Sequence, residues 1–303
     1  MSRLLPLALA QVSPQAATAP VSEFAGDVER LLARHPRTRL VVHPELHLCG
    51  VEGTDPERTA RLQDAAEPLD GPRSRQLGEL AGDLGIWLVP GSACERGENG
   101  ELFNTAACYS PAGELHAFYR KVFPWRPYEP YDPGDRFVVA DVPEFGRLGF
   151  SICYDSWFPE VARHLAWMGA EVIINPVQTT TNDREQEIVL ARAHAIANQV
   201  FVASVNAAGP VGVGGSLIVD PEGRVRQQAT GSETEVLTDV LDLGEVARVR
   251  ASGTAGLNRM WSQFTDHDSP VELPLYQGRI EPATWHPEIP EAGIRIPGPE
   301  AAG

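Results

Sequence analysis

Three polar residues stand where apolar, strand-like runs give out: Glu45 beyond Arg39–His43, Lys121 beyond Leu115–Arg120 and Cys153 beyond Arg147–Ile152. In α/β folds the edge past the carboxyl ends of the strands is where reactive groups gather. A cysteine, a carboxylate and a lysine in one site supply what cleavage of an unactivated amide needs. They give a nucleophile with a base for its proton, a cation for the tetrahedral oxygen and an acid for the leaving nitrogen. No histidine is required. Cys153 ends the run Leu148-Gly-Phe-Ser-Ile-Cys153 and precedes a turn and a helix, so the backbone N–H groups after it can stabilise a thiolate or an oxyanion. Cys49, Cys94 and Cys108 read as buried packing thiols.

Other chemistries lack their residues. His43-Pro-Glu45-Leu-His47 has the wrong order for a zinc-protease helix, and Pro44 opposes a continuous helix, so no metal is expected. There is no Gly-x-Ser-x-Gly elbow and no phosphate-binding Gly-Lys-Ser/Thr loop; the glycine-rich stretch 209–215 reads as a flexible lead into the strand at Ser216. With 41 acidic against 25 basic residues the net charge is −16, and no Lys/Arg cluster offers a phosphate footprint, which argues against nucleic acid as partner. Four cysteines without CxxC spacing indicate neither a disulfide framework nor a zinc site, and fit reduced thiols in a cytoplasm. The N-terminal apolar run is short and contains Pro6, and Leu7–Val12 reads as a first strand rather than a signal peptide. No run approaches ~18 apolar residues, so no membrane span is expected.

The elements that must position these residues alternate between strand and helix, the pattern of an α/β domain. Helices are predicted over Ser22–Arg34, Ser74–Leu84, Glu160–Met168 behind Pro159, and Arg184–Asn198. Strands are predicted at Arg39–His43, Ile86–Pro90, Glu171–Asn175 and Phe201–Asn206, with strand pairs Asn104–Tyr109 with Leu115–Arg120, Phe137–Val142 with Arg147–Ile152, and Ser216–Val219 with Gly223–Gln227. Beyond about Leu243 the periodicity fades. Residues 1–245 therefore read as the functional domain and 246–303, rich in proline and glycine, as an extension packed on it or on a neighbouring subunit.

Three segments, His43-Pro-Glu45, Tyr119-Arg-Lys121 and Cys153-Tyr-Asp-Ser-Trp-Phe-Pro-Glu160, resemble in order and spacing the signature blocks of the nitrilase (carbon–nitrogen hydrolase) superfamily. The spacings, 76 residues from 45 to 121 and 32 from 121 to 153, suit that family. The resemblance implies a four-layer α-β-β-α sandwich that pairs into dimers or larger homo-oligomers, with Glu45, Lys121 and Cys153 as the catalytic set and no cofactor. The proline-rich stretch from Lys121 to Gly134 looks like the lysine loop of the aliphatic amidase and formamidase branch, which makes Glu129 a second carboxylate beside the nucleophile. Tyr154-Asp155 after the cysteine looks like the amide-cleaving branches rather than true nitrilases.

By the same resemblance the Tyr154 N–H joins Lys121 in the oxyanion site, and Trp157, Gln178 and Tyr128 lie near the substrate. Asp155 and Glu160 read as caps of the turn and of the helix start. Trp125 and Tyr131 are further aromatic candidates, and Arg126 or Arg184 would have to supply the cation for a substrate carboxylate. The function expected is a small-molecule amidase releasing ammonia and a carboxylic acid through a thioester. The rival readings are an N-carbamoyl hydrolase, a nitrilase, and a catalytically silent scaffold.

Overall fold

The computed structural model describes residues 3–51, 56–274 and, for the backbone, 278–280. In chain order the elements are β1 (Leu4–Gln11), α1 (Val21–Arg34), β2 (Leu40–Val42), α2 (Glu57–Ala65), α3 (Pro72–Leu84), β3 (Trp87–Val89), β4 (Ser92–Arg96), β5 (Leu102–Tyr109) and β6 (Leu115–Arg120). They continue as β7 (Val139–Val142), β8 (Gly146–Phe150), α4 (Pro159–Trp167), β9 (Val172–Val177), α5 (Arg184–Asn198), β10 (Phe201–Asn206), β11 (Leu217–Val219), β12 (Val225–Gln228), β13 (Glu235–Asp242) and α6 (Gly244–Ser252). A separate two-stranded pair joins Val271–Leu273 to Gly278–Ile280.

The layering follows from the period-two pleat. Along β1, Leu5, Leu7 and Leu9 point to one face and Ala8 and Ala10 to the other. The leucines enter a central core with Leu148, Phe150, Val172, Ile174, Phe201, Ala203 and Val205 of the other sheet. The alanines meet Phe24, Val28 and Leu31 of α1 and Leu77, Leu80 and Ala81 of α3. On the far side Ile173, Val202, Leu217 and Val219 face Val161 and Leu165 of α4 and Ala191 and Ala195 of α5. The result is helix on sheet on sheet on helix, the four-layer sandwich.

The first sheet runs β13-β1-β2-β3-β5-β4 with β6 paired to β5; the second runs β12-β11-β10-β9-β8-β7. β1, β2 and β3 are parallel, and β6 regains their direction by two antiparallel steps through β5. β8, β9 and β10 are parallel in the second sheet. The chain therefore leaves β2 and β6 at one edge, and Glu45 N donates to Val177 O at 3.3 Å, joining that edge to the exit of β9. Gly91 lies beneath it with φ +86°, and a Cβ there would fall 1.8 Å from Pro44 O, so only glycine fits.

The predicted helices appear within a few residues, while α2, β4, β13 and α6 are elements beyond those predicted. α2 buries only Leu62, so its sequence has too thin an apolar stripe to announce a helix. β13 is an edge strand, exposed enough to carry Glu235, Asp239 and Asp242. The stretch 209–215 is tied rather than loose, with Gly212 N bonded to Ala208 O and Val213 N to Thr179 O. Past α6, Trp261 is buried against the helical layer of α4 and α5, and Arg250 donates to Ala170 O at 3.0 Å. Of the extension expected at 246–303, residues 275–277 and 281–303 lie outside the described residues. Among the described residues no helix is long and apolar enough to cross a membrane.

Candidate active site

The chain leaving β2 turns at Pro44 and delivers Glu45, 2% exposed, into the edge between the sheets. Its Oε1 accepts from Lys121 Nζ at 2.9 Å and from Asn104 Nδ2 at 2.8 Å, and its Oε2 from the Gln178 N–H at 2.9 Å. Gln178 Nε2 also donates to Glu45 O at 3.3 Å. Donors from β5, the end of β6 and the exit of β9 thus fix one carboxylate. The Lys121 N–H bonds to Asn104 O at 2.9 Å, which sets the lysine beside that asparagine.

Lys121 is 1% exposed, and its Nζ donates also to Glu129 Oε1 at 2.8 Å. Glu129 Oε2 in turn accepts the Trp125 N–H at 2.9 Å, closing the loop on itself. Burial alone would lower the lysine, but Glu45, Cys153 and Glu129 hold it well above its ordinary value. Burial raises Glu129 above the usual carboxylate range; Lys121 opposes that rise and Glu45 adds to it.

Cys153, the one partly exposed cysteine of the four, follows β8 with φ +45°, a left-handed conformation that throws the chain into the short 3₁₀ turn Cys153–Trp157. Asp155, fully buried, holds that turn. Its Oδ2 accepts the Ile152 N–H and the Tyr119 hydroxyl, each at 2.8 Å, and its Oδ1 the Phe123 N–H at 2.9 Å, so the cysteine turn is bolted to the lysine strand. Burial pushes the Asp155 carboxyl up to about 6, against the pull of Lys121 and these donors. Burial and then Glu45 push the Cys153 thiol well above its ordinary value, with Lys121 opposing and Glu187 and Glu129 adding.

An aromatic shelf flanks the cysteine turn. Tyr154 meets Phe158 edge-on with centroids 5.5 Å apart and lies 6.1 Å from Trp157 and 6.4 Å from Trp125, which leans on Tyr128 at 4.4 Å. Trp125 and Tyr128 are exposed, 43% and 59%. Tyr131 is elsewhere, its hydroxyl 3.7 Å from Cys94 Sγ. The rings of His43 and His47 stack at 4.8 Å and pack on Phe24 of α1; burial pushes His47 down to about 4 and His43 well below its usual value. Among the described residues no group of three metal-type ligands occurs.

Two sequence expectations need correction. Arg184 is not available to a substrate carboxylate: it is 4% exposed and bonded to Glu187 Oε2 at 2.9 Å, and to Ser204 Oγ and Gly215 O, each at 3.1 Å. Cys49 is not a plain packing thiol, because its Sγ accepts the Cys94 N–H at 3.1 Å and Arg73 Nη1 at 3.3 Å. The bond with Cys94 outweighs burial and, with Arg73 beside it, brings Cys49 down to about 7, while burial lifts Cys108 to about 12. Sequence reading also missed Asn104, Thr179 and Glu187. Asn104 left a signal, an amide residue inside a mostly apolar strand, and β5 is buried along its whole length.

Residues 7–251 match the family model of the carbon–nitrogen hydrolases. The chain belongs to this family. As a carbon–nitrogen hydrolase of the nitrilase superfamily it is an amidase-type enzyme, acting on carbon–nitrogen bonds other than peptide bonds. It is similar to a formamidase of Pseudomonas syringae pv. syringae (strain B728a), 32% identical over 235 residues, which span 75% of this chain and 67% of the relative. Among solved structures it is similar to Saccharomyces cerevisiae Nit3, a member of branch 10 of the nitrilase superfamily. The TM-score is 0.73 and the identity 29%, over 82% of this chain and 93% of that one. An amidase from Nesterenkonia sp. AN1, in a glutamate-to-leucine mutant carrying the acetamide moiety of fluoroacetamide on its active-site cysteine, matches with TM-score 0.69 and 26% identity over 86% of this chain and 97% of that one.

Proposed function

We propose that this carbon–nitrogen hydrolase cleaves small, neutral amides, with Cys153 as nucleophile, Glu45 as general base and acid, Lys121 as oxyanion partner, and Glu129 as the carboxylate that positions substrate and water. The reading rests on one observation: two carboxylates converge on a single buried ammonium beside Cys153, the only one of the four cysteines that is partly exposed rather than buried. Glu45 takes the Cys153 proton as sulfur bonds to the substrate carbonyl carbon, and the oxygen takes up the electron pair facing Lys121 and the Tyr154 N–H. Glu45 returns the proton to nitrogen, the carbon–nitrogen bond breaks and ammonia leaves a thioester on sulfur. Glu45 then draws a proton from water, hydroxide adds to the thioester, and the acid departs with Cys153 reprotonated.

Support for a neutral substrate comes from Arg184, whose guanidinium is already matched by Glu187, and from the aromatic shelf around Tyr154, Trp157 and Tyr128. The matching formamidase and the amidase with a derivatised active-site cysteine agree with this chemistry. Ammonia release from short aliphatic amides, matched nitriles and N-carbamoyl amino acids tests it. Amides should be the best substrates, and a Cys153→Ala protein that kept the wild-type rate would sink the mechanism.

We further propose that the chain works as a homo-oligomer through its helical layer. Val189 and Ile196 stand 63% and 49% exposed seven residues apart on one face of α5. Light scattering after size exclusion reads the mass.

A further inference from the structure

Beside Cys153 lies a buried polar chain that the proposed mechanism does not use. Thr179 Oγ1 is 3.9 Å from Cys153 Sγ and 2.9 Å from both carboxylate oxygens of Glu187. Glu187 sits on the buried stripe of α5 with Ala191, Ala195 and Asn198 and is held by Arg184 at 2.9 Å. The Thr179 backbone is fixed, since its N–H bonds to Asn206 Oδ1 at 2.9 Å and its carbonyl accepts Asn206 Nδ2 at 3.2 Å and the Val213 N–H at 3.0 Å.

A hydroxyl has one hydrogen. That of Thr179 faces a carboxylate, which only accepts, so toward sulfur the oxygen presents lone pairs. It can accept from a thiol S–H and cannot donate to a thiolate. A buried Arg–Glu pair on an alanine stripe is also a poor source of stability compared with apolar packing, so its presence calls for another use.

We propose that Thr179, locked as an acceptor by Glu187 and Arg184, is a positioning residue that keeps Cys153 a neutral thiol in the resting enzyme, so that its proton leaves only when Glu45 takes it during attack. This deepens the reading of Cys153 as nucleophile and rests on it. The charged groups that act most strongly on the sulfur are Glu45 beyond β2, Lys121 at the end of β6, Glu129 in the lysine loop and Glu187 on α5; the three acids oppose the thiolate and Lys121 favours it, while the Arg184 guanidinium is matched by Glu187.

The test is the pH profile of iodoacetamide alkylation at Cys153 in the full chain, followed by mass spectrometry of its peptide so that Cys49, Cys94 and Cys108 do not contribute. In Glu187→Gln the amide N–H can donate to Thr179, whose hydroxyl hydrogen then turns to sulfur, and the midpoint should fall by about one pH unit or more. Thr179→Ser should keep the wild-type midpoint. Thr179→Val combined with Glu187→Gln should lose most of the shift, because the hydroxyl that would donate is gone. Should Glu187→Gln fail to fold with Arg184 unmatched, the neutral pair Arg184→Gln/Glu187→Gln replaces it with the same expected shift. An unchanged midpoint in the Glu187 variant overturns the proposal, as does a full shift that survives Thr179→Val. Alkylation needs no turnover, so an enzyme inert on every amide would defeat the amidase reading while these midpoints still decide the role of Thr179.

Discussion

At the residue scale the site is a contest over protons among groups that share one small volume. Glu45 and Glu129 differ in how they are held: Glu45 receives three donors, whereas Glu129 has the lysine and a single backbone N–H. Glu45→Gln keeps the size but offers one acceptor oxygen where three donors converge, and it cannot carry a proton between sulfur and nitrogen. We expect kcat for amide hydrolysis to fall by ~10²–10⁴-fold, within the range for losing a positioned acid–base group. Steady-state ammonia release checks this, and a loss of less than about tenfold would remove Glu45 from the proton path. Glu45, Lys121 and Cys153 stood out in the sequence because a charged or reactive residue directly after an apolar run has few structural excuses. Glu187 did not, since a glutamate in a helix is usually a solvated one.

At the scale of elements, the parallel strands decide which chain ends meet. β2 and β6 leave the first sheet at one edge, and Asp155 ties the turn after β8 to Tyr119 and Phe123 of the lysine segment. These are contacts between chain segments about thirty residues or more apart, which local periodicity cannot report. Helix α5 was legible because Arg184–Asn198 is rich in strong helix formers and free of glycine and proline, while β4, with Ser92, Ala93 and Cys94, lacks the branched residues that mark a strand. The outer face of α5 carries a prediction. Val189→Asp with Ile196→Asp should convert the proposed oligomer to monomers without loss of secondary structure, read by light scattering and circular dichroism; a mass unchanged from an oligomeric wild type moves the interface elsewhere.

For the whole molecule, the consequence is a dependence of stability on pH. His47 is buried and pushed down from 6.5 to about 4. The unfolded ring therefore binds a proton more readily than the folded one, so its contribution is complete above about pH 6.5 and is lost as pH falls toward 4. Across the full window the loss is about 3 kcal/mol. Asp155, pushed up from 3.8 to about 6, works in the opposite sense: its contribution is present below 3.8 and fades as pH rises through 6, so acidification through that range recovers it. Comparing wild type with His47→Leu isolates the first term. The difference in unfolding free energy between the two proteins should shift against wild type between neutral pH and about pH 5, and a difference independent of pH would show that His47 is not buried as neutral imidazole.

What the sequence determined by itself was the family and the alternation of strands and helices. Residue types at strand ends suggested the reactive set proposed above, the two periodicities of 2 and 3.6 residues separated strands from helices, and three blocks in order pointed to the carbon–nitrogen hydrolases. What only the tertiary structure decided was pairing. Arg184 could have met a substrate carboxylate or a protein one, and Cys49 could have been inert or hydrogen-bonded. Those alternatives depend on which side chain lies across a gap of a few ångströms, and such gaps are set by how whole sheets and helices stack. The same holds for Thr179, whose hydroxyl became an acceptor toward Cys153 only because α5 brings Glu187 to its other side.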